Sequence, residues 1–242
     1  MRYLILSDLH ANLPALEAVL DDAAGVGYDA VLVLGDLVGY GADPAPVLAR
    51  TLELDPVGIV RGNHDKVCAG LEPSSTFNDV ARISIEWTAS TLSPADLKKL
   101  AELPIGPRQI PGGVEIAHGA PFDEDYYVFD TQDAARALES ASARICLIGH
   151  THVPGIFATG AVPDGTLDGD IVRLPPTGAV LANVGSVGQP RDGDPRAAYG
   201  VLDVARQTLT LRRVAYDIGR AQRRIVEEGL PEWLAIRLGR GE

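Results

Sequence analysis

The chain has 242 residues, with 33 acidic side chains against 21 basic ones and a formal net charge of −12. A protein that gripped a long phosphate backbone by counterion release would carry a basic stripe, and here Lys and Arg are scattered. Hydrophobic residues at 46% and charged ones at 22% suffice to bury a core, which excludes disorder as the main state.

Residues 2–7 read as a buried strand that meets Asp8 too early for a secretory leader. Asn12-Leu13-Pro14 looks like a cap with proline in the first turn, opening a helix to about Gly25. An apolar run at 30–34 predicts a second strand ending in Gly35-Asp36, then a glycine-rich turn and a short helix over Pro44–Glu53. Residues 57–60 give a third strand, closing on Arg61-Gly62-Asn63-His64-Asp65. Residues 78–101 read as helix in two pieces, with Ser93-Pro94 opening the second. After Gly106 come short strands at 113–117, 144–149, 153–158, 170–174 and 178–184. A hairpin follows at 198–204 and 208–214, turning at Ala205-Arg206-Gln207. Another helix includes Arg136 to Ser140, residues 159–166 read as an exposed loop, and the Arg-rich segment from Asp217 reads as helical.

Two cysteines, Cys68 and Cys146, are too few and too far apart for a disulfide framework, which favours a cytoplasmic location; both read as inert, with Cys146 in a buried strand. No run is long enough to span a membrane. The βαβ-rich first half and β-rich second half allow two domains. The polar clusters favour instead one domain over 1–242, an α/β four-layer αββα sandwich of two mixed sheets packed face to face with helices outside.

Those clusters hold all five histidines, at 10, 64, 118, 150 and 152, and each lies just past a predicted strand, the edge where open α/β sheets gather ligands. Asp8-Leu9-His10 leaves the first strand, and residues two apart on an extended backbone point the same way, so carboxylate and imidazole converge. His150-Thr151-His152 repeats the arrangement, His118 follows another strand, and Asp36 and Asn63 end two more. Nitrogen with hard oxygen donors suits Zn, Mn, Fe or Ni, and the lack of thiolate disfavours a purely structural zinc site.

In order along the chain, Asp8-Leu9-His10, Gly35-Asp36-Leu37-Val38-Gly39, Gly62-Asn63-His64-Asp65, His118-Gly119 and Gly149-His150-Thr151-His152 make a pattern that resembles the calcineurin-like metallophosphoesterases, in particular their small bacterial and archaeal phosphodiesterase-like branch, with which the Asn183-Val184-Gly185-Ser186 stretch is shared. The resemblance implies a hydrolase with two divalent transition-metal ions (Mn, Fe, Zn or Ni), manganese among the expectations, attacking a phosphoester with metal-bound hydroxide. It implies Asp8, His10 and His152 on the first ion, Asn63, His118 and His150 on the second, and Asp36 bridging. His64 is left over as a catalytic group: an imidazolium that stabilises charge or protonates the leaving oxygen, with Asp65 fixing its tautomer and raising its pKa.

Substrate contacts are read more loosely. Tyr126 or Tyr127 could stack a base or aryl group, the carboxylates of Asp123, Glu124 and Asp125 would repel long polyanions, and Arg191 is placed to meet a phosphate, with Tyr40 near the pocket. Protein phosphatases and symmetrical dinucleoside tetraphosphate hydrolases of the superfamily carry an arginine after the Gly-Asp motif, where this chain has Val38-Gly39-Tyr40-Gly41. That difference favours a phosphodiesterase or a small-molecule or nucleotide phosphatase over a dinucleoside polyphosphate hydrolase or protein phosphatase. A non-catalytic scaffold and a DNA-end nuclease fit less well, because no ligand is lost and no basic groove is visible. The expected partner is a small phosphate ester or nucleotide, with no long nucleic acid and no membrane.

Overall fold

A computed structural model describes residues 1–159 and 171–242. The first half follows the predicted order: β1 (Arg2–Leu6), α1 (Leu13–Val26), β2 (Ala30–Val33), α2 (Pro44–Glu53) and β3 (Gly58–Ile59). The Asn12 side chain accepts the Ala15 N–H at 3.2 Å, giving the expected cap. A short helix, α3 (Asn63–Cys68), stands where the sequence reading only closed a strand, and α4 (Asp79–Thr91) and α5 (Pro94–Ala101) follow.

β4 (Arg108–Ile110), β5 (Val114–Ile116), α6 (Thr131–Ser140), β6 (Ile145–Ile148), β7 (Gly155–Ala158), β8 (Ile171–Arg173) and β9 (Val180–Asn183) come next. The hairpin β10 (Ala197–Asp203) and β11 (Thr208–Val214) leads to α7 (Ile218–Glu227) and α8 (Glu232–Leu238). Apart from Thr159, the loop expected at 159–166 lies outside the described residues.

The strands form two mixed sheets, ordered β3-β2-β1-β10-β11-β8 and β4-β5-β6-β9-β7. Side chains alternate along each strand, and both faces of the central strands β1, β2, β6 and β9 are covered, which is why these read as continuous apolar runs. Tyr3, Ile5, Leu32 and Leu34 meet Ile116, Ile145, Leu147 and Val180 between the sheets. Leu4, Leu6, Val31 and Val33 face the other way, against Leu16, Val19 and Leu48 of α1 and α2. Cys146 and Ile148 turn outward onto Ala134 and Ala137 of α6. The result is the expected four layers.

Register decides where function can sit. β1 and β2 pair parallel, as do β2 and β3. In the second sheet β5, β6 and β9 are likewise parallel. Each sheet therefore delivers the carboxyl ends of three parallel strands to one edge, where connecting loops are free to carry ligands.

Candidate metal centre

Asp8, Asp36 and Asn63 follow the three parallel strands of the first sheet, and His118 and His150 follow β5 and β6 of the second. The loops do not continue the strands in extended form. Asp8, His10, Asp36, His150 and His152 all have positive φ, at 52°, 44°, 52°, 68° and 62°. Convergence comes from tight left-handed turns, correcting the expectation of an extended Asp-x-His; such backbone is costly outside glycine and concentrates at functional sites.

Two of the flanking glycines are required by contact. A Cβ on Gly62 would lie 2.1 Å from Asp36 Oδ1, and one on Gly149 would lie 2.0 Å from Ser7 Oγ. Only glycine lets these turns close on the carboxylates.

The donors fall into two groups, Asp8-His10-Asp36-His152 and Asp36-His118-His150, each with ligand atoms within 4.8 Å of one another and with Asp36 common to both. All six residues are buried. Asn63 Oδ1 joins the second group, 3.3 Å from His118 Nε2.

The histidine tautomers follow from backbone partners. His10 Nδ1 lies 3.1 Å from Val38 O, His118 Nδ1 2.7 Å from Leu34 O, His152 Nδ1 2.5 Å from Gln189 O and His150 Nε2 3.1 Å from Asp125 O. A carbonyl can only accept, so each of these nitrogens donates an N–H. In the neutral ring the other nitrogen carries a lone pair aimed inward. Yet His10 Nε2 and His152 Nε2 face each other at 3.0 Å, as do His118 Nε2 and His150 Nδ1. Lone pairs this close repel unless a cation or proton lies between them, so the residues fit metal ions.

Electrostatics agree. Burial opposes charge on both Asp36 and His118, but their mutual attraction prevails: Asp36 is held well below the usual carboxylate range and His118 is pushed up to about 10. Without metal the pair keeps a proton where a cation would sit. Burial pushes Asp8 up to about 6, although Ser7 Oγ donates to it at 2.5 Å and the His150 N–H at 3.1 Å.

His64 lies beside this set. Its backbone N–H donates to Asp36 Oδ1 at 2.9 Å, and its ring packs between Tyr40 and Phe77, at 4.4 and 4.6 Å between centroids. The contact expected from Asp65 is not made. Asp65 accepts the Leu37, Val38 and Gly62 N–H groups at 2.8, 3.3 and 2.9 Å, tying α3 to the loop after β2. His64 Nδ1 has no partner among the described residues, and burial pulls the imidazole down to about 4 instead of raising it.

Tyr127 stacks on His150 at 3.7 Å and, with Phe77, Asn63 and Glu72, lines a cleft of about 290 Å³ beside the second group. Tyr126 is not in the site: its hydroxyl donates to Asp133 of α6 at 2.7 Å and its ring packs on Phe122. The acidic loop is also corrected. Arg61 grips Glu124 at 2.7 and 3.1 Å, and buried Lys66 pairs with Glu124 and Asp125, so two of its three carboxylates are neutralised. Tyr40 forms a wall of the site, 4.7 Å from the His10 ring, and Arg191 lies 5.7 Å from the Tyr40 ring.

Residues the sequence reading left without a role hold the loops in place. Asn183 Nδ2 donates to Gly149 O at 2.7 Å and Thr151 Oγ1 at 2.9 Å, while its Oδ1 accepts the Gly185 N–H. Ser186 Oγ donates to Asp8 O at 2.7 Å. The Asn-x-Gly-Ser stretch thus clamps both histidine loops; the sequence marked it only as shared with the branch that the chain resembles.

A family model described as the calcineurin-like phosphoesterase superfamily domain matches residues 1–207. An uncharacterised protein of Methanocaldococcus jannaschii is 34% identical over 236 residues, covering 97% of this chain and 96% of that protein. A metallophosphoesterase structure from Sphaerobacter thermophilus matches with TM-score 0.89 and 40% identity, covering 100% of this chain and 99% of the other. A hypothetical protein of Pyrococcus horikoshii OT3 shares the fold at TM-score 0.81 and 20% identity, covering 100% and 98%.

Proposed function

The chain belongs to the calcineurin-like phosphoesterase superfamily, and from that premise we propose that it hydrolyses a small phosphate ester or nucleotide at a dinuclear metal site. The observation that carries the reading is the pair of 3.0 Å contacts between histidine ring nitrogens turned inward by outward N–H donation to a carbonyl, a spacing that needs a cation or a proton between them. Asp8, His10 and His152 would hold one ion, Asn63, His118 and His150 the other, and Asp36 both. Divalent Mn, Fe, Zn or Ni in these places supplies Lewis acidity toward phosphoryl oxygens and makes water a stronger acid near neutral pH.

The chain's own residues do the rest. Only two carboxylates, Asp8 and Asp36, face the ions, so the loaded site keeps a positive charge that draws an anionic ester. His64 is neutral at rest. A lone pair is cheaper to bury unpartnered than an N–H, so the proton belongs on Nε2 and makes that nitrogen a donor to a phosphoryl or leaving oxygen. A bound dianion raises the proton affinity of the ring, so that it takes up a second proton from solvent; the resulting imidazolium can pass the Nε2 proton to the leaving oxygen and return to the neutral form. Asp65 acts only through the backbone it ties down. Tyr127 and Phe77 offer apolar faces to an aryl group or base.

The test is metal analysis of the purified protein combined with hydrolysis of matched aryl phosphate mono- and diesters under Mn, Ni and Zn. Metal-dependent cleavage of at least one is expected, and the preference separates monoesterase from diesterase. Absent cleavage of both would favour a scaffold, and metal-independent cleavage would exclude a metal-dependent hydrolase; either overturns the reading.

A further inference from the structure

Arg237 lies on α8, beyond the segment matched by the family model. Its Cζ stands 5.9 Å from the Tyr40 ring, and Arg191, from the loop after β9, approaches the same ring at 5.7 Å. Tyr40 in turn packs on His10 and His64, so both guanidinium groups border the metal centre. Like charges are normally kept apart or separated by a carboxylate. Here neither arginine makes an ion pair with a side-chain carboxylate among the described residues: Arg191 donates through Nε and Nη2 to the neutral Gln189 Oε1, and Arg237 through Nε to the Glu242 main-chain oxygen. Burial, and then the neighbouring Arg191, lower the proton affinity of Arg237 against a smaller opposing pull from Tyr40 and Glu242.

We propose that Arg191 and Arg237 form a second anion subsite, over Tyr40, for a further phosphoryl group on the substrate. The inference rests on the phosphoesterase reading and narrows it. Two monocations with no side-chain carboxylate in ion-pair contact match a dianion better than a single carboxylate; the guanidinium fork also suits phosphate oxygens. The overall −12 charge makes so local a positive pair conspicuous, because the structure elsewhere gives many of its arginines carboxylate partners. The substrate class is therefore a compound with two phosphoryl groups, such as a nucleoside diphosphate or a bisphosphate, the scissile one at the metals and the other at the arginines.

Calorimetric titration of the Mn-loaded protein with inorganic phosphate and with methylenediphosphonate, which resists hydrolysis, tests this directly. The wild type is expected to bind the diphosphonate about tenfold or more tightly than phosphate, the scale of one or two charge-assisted hydrogen bonds. Arg237→Gln should collapse that ratio while leaving phosphate affinity nearly unchanged. If Arg237 only fastens α8 to Tyr40, Arg237→Gln lowers the melting temperature and leaves the ratio intact, which overturns the proposal; an equal affinity for both anions in the wild type does so too. Binding is read without turnover. A protein that shows the ratio but cleaves no ester would sink the phosphoesterase reading and leave the anion subsite standing.

Discussion

His64 lies beside the candidate metal ligands without being one of them. It contributes no donor to either group of ligand atoms, yet its ring lies 4.8 Å from that of His10. His64→Ala should therefore retain the full metal content while losing turnover by roughly 10²–10⁴-fold, the usual contribution of a positioned acid or base; metal analysis beside p-nitrophenyl phosphate hydrolysis checks both halves. Protons and metal compete for the same lone pairs. With His118 pushed up to about 10 by Asp36, the metal-free Asp36-His118-His150 group is protonated at neutral pH, and an ion held there must displace that proton. Metal affinity should rise as pH rises from 6 to 8, and a pH-independent dissociation constant would contradict the tautomer argument. The sign for stability is opposite. A base with raised folded pKa contributes stability fully below its unfolded value of about 6.5, lost on rising through about 10. The metal-free protein should thus lose stability from this pair on the alkaline side, measurable by denaturant melts.

At the scale of elements, the loops after β1 and β6 depend on the loop after β9. Asn183→Ala removes two donations to the 149–151 turn without touching a ligand, and should weaken metal binding by roughly 10–100-fold, the usual cost of losing a group that orients ligands. Competition with a fluorescent chelator measures it, and unchanged affinity would make the clamp merely structural. The candidate ligands were legible in the sequence because each lies just past an apolar strand, so one-dimensional order already implied a common edge. What was hidden depends on partners distant in sequence. Asp65 looked like a partner for its neighbour His64, but α3 turns it back onto the Leu37 and Val38 amides. Tyr126 and Tyr127 are adjacent and face opposite ways, one to Asp133 and the other to His150. The acidic loop read as a repulsive rim until Arg61 and Lys66, some sixty positions earlier, were seen to neutralise it. Arg237 offered no motif at all.

Across the whole molecule, the site stitches the two sheets together. Asp8, Asp36 and Asn63 come from one sheet and His118, His150 and His152 from the other, over a shared core of Tyr3, Ile5, Ile145 and Leu147. If the chain is one domain, as that shared core favours, calorimetry should give a single transition that metal shifts upward as a unit; two separable transitions, only one responding to metal, would argue for two domains. Among the described residues no helix is long and apolar enough to cross a membrane. The net charge of −12 also acquires a local exception, because Asp8 and Asp36 count toward it yet are the carboxylates that the ions would cover. The central claim is that two ions, sharing Asp36, make the catalyst. The most direct measurement is hydrolysis of p-nitrophenyl phosphate by metal-stripped protein as Mn is added back in known amounts. The account predicts no activity without metal and a rise that breaks at two equivalents per chain. Activity that survives stripping, or that saturates at one equivalent, would contradict it.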